Sequence, residues 1–146
     1  MNASRFRRPP EFKLTDVAQQ LVGGFLLAGP FVVTEEVWSL AESMHAIQAL
    51  LTVTVVFAIG YASLYKANDD RDVDAEQEVV GIPLRFISLM LVSFGSVAIL
   101  ALLFDAPDVF VDGSLLSRPT IEITLKAVSV GSIFSVVGAS TADTLF

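Results

Sequence analysis

The chain has no cysteine, one histidine and few lysines (only Lys13, Lys66 and Lys126) among its 146 residues. Without thiols there are no disulfides, thiolate metal sites or cysteine nucleophiles. The lone His45 lies between two apolar runs, where an interfacial polar residue fits better than a proton switch. Glycine-rich phosphate loops, paired histidines and the Gly-x-Ser-x-Gly elbow are also missing, so neither enzymatic activity nor a cofactor is expected. The formal charge is -7, and no basic stripe exists to neutralise phosphates, which excludes nucleic acid as a partner.

Apolar sequence is abundant instead. Hydrophobic residues make up 53% of the chain, and mean hydropathy is +0.67. Four apolar runs, at residues 17–33, 46–65, 84–104 and 123–142, are each close to the roughly 20 residues that carry a helix across a bilayer. A soluble fold would have to bury helices that are apolar all round. The expected fold is therefore all-α: one polytopic membrane domain over residues 1–146, built as a bundle of four transmembrane helices with the lipid bilayer as solvent. Arg5, Arg7 and Arg8 resemble the basic end of a signal sequence, but the apolar stretch that follows is too long, so it reads as a retained first span.

The spans are placed at about 17–42, 46–65, 84–104 and 121–143, with an acidic loop at 66–83. Good helix formers after Val33 extend the first span, leaving Pro30 inside a helix, where it should produce a kink. Orientation follows from lysine and arginine. Arg5, Arg7, Arg8 and Lys13 precede the first span, and Lys66, Arg71 and Arg85 lie between the second and third. Only Arg118 lies on the opposite side, with Lys126 inside the last span. Both termini and the middle loop are thus expected in the cytoplasm, with the protein in the cell membrane.

The acidic, lysine-poor balance suits a cell with high internal salt, where dense carboxylates repel one another less. Within the middle loop, Asp70, Asp72, Asp74 and Glu76 alternate like the ligands of a calcium loop. Ala75 stands where the turn glycine is needed and Gly81 where the closing glutamate is needed, so a solvated acidic loop fits better than a metal site.

Polar residues within the spans are the candidates for function. Thr34, Glu35 and Glu36 fall near the far end of the first span if it continues as one helix, and Lys126 enters the last span from that same side. Similar depth makes a Glu36–Lys126 or Glu35–Lys126 pair sensible, because an unpaired charge in the membrane is costly. Glu122, four residues before Lys126, offers a same-helix partner instead. In the last span Ala127, Gly131, Ser135, Ala139 and Asp143 repeat every fourth residue as a small-residue packing ridge, with Gly24, Gly29 and Pro30 as its counterparts in the first span. Ser129, Ser132, Ser135, Ser140 and Thr141 could alternatively line a polar path with Asp143 at its mouth.

The pairs Gly23-Gly24 and Gly29-Pro30, the run Thr34-Glu35-Glu36-Val37-Trp38 and the closing Gly138-Ala139-Ser140 resemble an uncharacterised family of prokaryotic, haloarchaeal-type integral membrane proteins. The resemblance implies a multi-span membrane protein without an assigned activity. Its Thr-x-Glu-x-Trp pattern would select Glu36 over Glu35. The functional expectation is an oligomeric path for a monovalent cation, a proton or a small solute; the alternative is a non-transporting scaffold or accessory subunit.

Overall fold

A computed structural model describes residues 12–66, 78–111 and 117–145. The chain runs through α1 (Leu14–Val32), α2 (Glu35–Ser43), α3 (Ala46–Tyr61) with a wider final turn at Ala62–Lys66, a small hairpin of β1 (Glu78–Val79) and β2 (Ile82–Pro83), then α4 (Leu84–Leu103), α5 (Ala106–Phe110) and α6 (Arg118–Leu145). The protein is an all-α membrane bundle. Three helical segments, Ala46–Lys66, α4 and α6, are long and apolar enough to cross a membrane singly, and α1 with α2 makes a fourth candidate as a bent pair.

That bend departs from the sequence expectation. The first span is not one helix kinked at Pro30 and running to residue 42. Helix α1 continues past the proline to Val32, and the chain then turns by 80° into α2. Proline removes a single backbone donor, which a helix tolerates, whereas the break is held by bonds formed after it. The Thr34 amide and hydroxyl both donate to the Phe31 carbonyl, at 3.1 and 2.7 Å. The Trp38 indole N–H donates to the Val32 carbonyl at 2.7 Å, satisfying an acceptor that the end of α1 leaves open. At about 1.5 Å per residue, the 19 residues of α1 rise close to the hydrocarbon thickness, so α2 can fold across that end of the bundle.

Helix α6 is central, packing most closely on α1 and then on α4, α3 and α2. The α1–α6 approach is set by glycine: a Cβ on Gly23 would overlap the Gly138 carbonyl, and one on Gly138 would overlap that of Gly23. Without side chains there, the two backbones touch and gain the close contact that drives association in lipid. Gly131 leaves the space that Val97 of α4 fills, since a Cβ would lie 2.7 Å from its Cγ1. Helix α3 is more peripheral. Its Ile47, Leu50, Leu51 and Val55 are exposed, as suits a helix whose outer face meets lipid tails.

The topology gives the bundle two unlike ends. One holds the starts of α1 and α4 and the finish of α6, and is charged. The other is capped by α2 and α5, with Trp38 stacked on Phe110 at 5.9 Å between ring centroids. Beneath this cap lies an apolar cluster of Ala28, Val32, Val37, Trp38, Val97 and Ala127 among others.

Candidate functional site

The sequence-predicted charges do not meet. Glu35 and Glu36 lie exposed in the first turn of α2, where carboxylates favour the positive end of the helix dipole. The Lys126 ammonium donates to the Met44 carbonyl at 2.7 Å and pairs with Glu122 at 3.2 Å. Glu36 therefore does not pair with Lys126, and the reason is the 80° bend. A continuous first helix would have carried both glutamates to the depth of Lys126; folding α2 across the end turns them outward and brings the α2 C-terminus to the lysine instead. Thr34 serves the break itself.

The packing residues divide. Ala127, Gly131, Ser135 and Ala139 are buried, and Gly24 sits where a Cβ would come within 3.0 Å of the Ser135 and Ser96 hydroxyls. Gly29 has only Leu100 nearby, at 3.9 Å, and Pro30 is exposed. Asp70, Asp72, Asp74 and Glu76 lie outside the described residues. Among the described residues, no group of three or more metal-ligating side chains forms a site.

A different cluster forms at the charged end. Arg85, in the first turn of α4, donates to the Asp143 carboxylate of α6 at 2.6 Å and lies 3.5 Å from the Asp16 carboxylate of α1. Its side chain is 7% exposed, against 0% for Asp143 and 20% for Asp16. The ring of Phe12 covers the guanidinium with its centroid 5.2 Å from Cζ. Asp16 also accepts the Lys13 backbone amide at 2.8 Å, so the same carboxylate caps α1. One cation thus joins three helices that are distant in sequence.

From this cluster a polar seam runs into the bundle between α1, α4 and α6. One turn along α1 from Asp16, the fully buried Gln20 accepts the Ser88 hydroxyl of α4 at 2.7 Å. Farther in, the Ser96 and Ser135 hydroxyls meet at 2.8 Å. Ser93 and Ser132 donate to the carbonyls four residues earlier, at 2.6 Å each, which satisfies them within their own helices. Ser132 also lies 3.5 Å from the Ser93 carbonyl. Beyond these serines the seam reaches the apolar cluster under the cap.

Sequence reasoning found the α6 side of this seam but missed its partners. In the sequence Arg85 serves only to orient the chain, and nothing local singles out Asp16 or Gln20. The available signal was a charged residue at the head of each of two spans and a third at the end of the last, which antiparallel connections bring to one membrane face.

No curated protein and no solved structure matches the chain. A family model does match, over residues 3–145, nearly the whole sequence. The apolar helices, buried charges and small-residue contacts belong to a chain that is a member of the family described as "Putative integral membrane protein (DUF2391)".

Proposed function

We propose that the chain forms a path through the cell membrane for a monovalent cation, a proton or a small polar solute along the α1–α4–α6 seam. The observation that carries this reading is Arg85, buried and bridging carboxylates from two other helices at the head of a line of buried polar side chains. Ionisable groups buried in a membrane domain are costly, and they mark ion and solute pathways and proton relays. The seam is closed where Gly23 meets Gly138, so passage of a hydrated ion or solute requires α1 and α6 to part. Arg85 holds both helices from α4, which makes it the clamp on that opening.

Reconstitution into proteoliposomes, with flux of several cations and protons measured across a pH range, tests the reading. Asp143→Asn and Arg85→Lys should alter flux in correctly folded protein, whereas Glu35→Gln with Glu36→Gln should not. Absence of flux for every species, or equal flux in all variants, would reject it.

The scaffold reading has one observation in its favour. Ser93, Ser129 and Ser132 hydrogen-bond to carbonyls of their own helices, as packing serines do. In that reading the seam stays shut and a partner meets the protein from outside the bundle. The distribution of lysine and arginine supports the charged end facing the cytoplasm, together with both termini. In this cysteine-free chain, single cysteines at Asn68 and Ser114 should label from opposite sides with an impermeant reagent, Ser114 from outside intact cells.

A further inference from the structure

Among the described residues, Gln19, Gln20 and Thr124 each have a buried side-chain atom without a hydrogen-bond partner. The Gln20 amide nitrogen is buried without an acceptor although its oxygen is held by Ser88, and the Thr124 hydroxyl is buried without any partner. Thr124 lies on α6 seven residues before Gly131, and thus on the same face two turns away. Gln20 lies one turn along α1 from Gly24, which faces the Ser96–Ser135 contact, whereas Thr124 lies eleven residues, about 16 Å, beyond Ser135 towards the cap. A buried donor or acceptor left without a partner costs about 1–3 kcal/mol, and a bound water is the usual remedy.

The seam is also narrow. The Gly23 and Gly138 backbones touch, and the hydroxyls of Ser96 and Ser135 meet directly. An alkali cation with any of its hydration shell needs a cavity that such contacts do not leave. A proton needs only groups that accept on one side and donate on the other, which hydroxyls and water both do. In the Ser96–Ser135 pair either oxygen can be the donor, so the bond can run in both directions.

We infer that the species carried along this seam is the proton, and that water bound at Gln20 joins the Asp16–Arg85–Asp143 cluster to the Ser96–Ser135 pair in one hydrogen-bonded chain. This inference rests on the path reading above. In each step a water or hydroxyl oxygen binds the incoming proton through a lone pair and releases a different proton to the next oxygen. Each oxygen keeps its bond count, and the groups then rotate back to accept again. Asp16, the more exposed carboxylate of the cluster, is where the chain meets the solution.

The test uses the full chain in liposomes containing a pH-sensitive dye, with a membrane potential imposed by a potassium ionophore; sodium flux is followed separately without ionophore. The expected result is proton influx without sodium flux, with most of the influx lost in Ser135→Ala and in Gln20→Leu. Ser96→Ala provides an independent variant, and denaturant titration of each protein confirms folding. Sodium flux without proton flux would overturn the proton assignment and leave a path. No flux of either ion in folded protein would overturn both readings. Proton influx that persists in all three folded variants would place the route outside the seam.

Discussion

The two ends of the bundle hold the same helices together by different physics. At the charged end, Arg85 ties α4 to α1 and α6 through two carboxylates, with the Phe12 ring as the apolar member of the cluster. At the capped end, α2 and α5 close over an apolar cluster, and the polar links are the Trp38 indole bond to the Val32 carbonyl and the Lys126 bond to the Met44 carbonyl. Charge in a low-dielectric site is stable only while paired, so the first end is sensitive to any single loss. Apolar packing is spread over many contacts, so the second end should lose stability in smaller steps. The difference suggests a division of labour: a clamp that can be released by changing one charge, and a cap that resists change.

The comparison breaks most sharply at Arg85. Arg85→Gln leaves Asp143 buried beside a neutral partner and should cost about 3–5 kcal/mol, the range seen when one member of a buried pair is removed. Denaturant titration in mixed micelles measures it. A cost below that of the Trp38 change described below would put the two ends on a par.

Between the ends, Gly138→Leu should destabilise by about 3 kcal/mol, because the branched side chain forces the α1 backbone away from α6. The readout is the titration midpoint and the loss of extractable folded protein.

At the capped end, Trp38→Phe keeps an aromatic ring against Phe110 but leaves the Val32 carbonyl without its donor, an expected loss of about 1–2 kcal/mol. Trp38 is the only tryptophan. Its fluorescence in the unmodified protein should be blue-shifted and poorly quenched by acrylamide, whereas ready quenching would mean that the cap is open. The smallest effect belongs to Glu35→Gln with Glu36→Gln, whose exposed carboxylates should change stability by no more than about 0.5 kcal/mol.

The same contrast explains what could be read from the sequence. Apolar runs near bilayer length announce spans directly, and the four-residue repeat from Ala127 to Asp143 identifies the face of α6 that lies inside. Both signals are local. The break after Val33 is not, because it depends on Trp38 reaching back to a carbonyl six residues earlier. Missing that break placed Glu36 beside Lys126, an error of geometry rather than of chemistry: the lysine does take a nearby acceptor, and that acceptor is the end of α2. The Arg85 cluster combines residues 16, 85 and 143. Each stands at the end of a span and looks interfacial by itself; only antiparallel packing shows that they share one site.

A double-mutant cycle on Arg85 and Asp143 tests the clamp most directly. Denaturant titrations of Arg85→Gln, Asp143→Asn and the double variant should show strong coupling, with the double variant losing clearly less stability than the sum of the two single losses. Additive losses would contradict the account, since they would mean that the guanidinium and the carboxylate do not support each other and that α4 does not hold α6 through this pair.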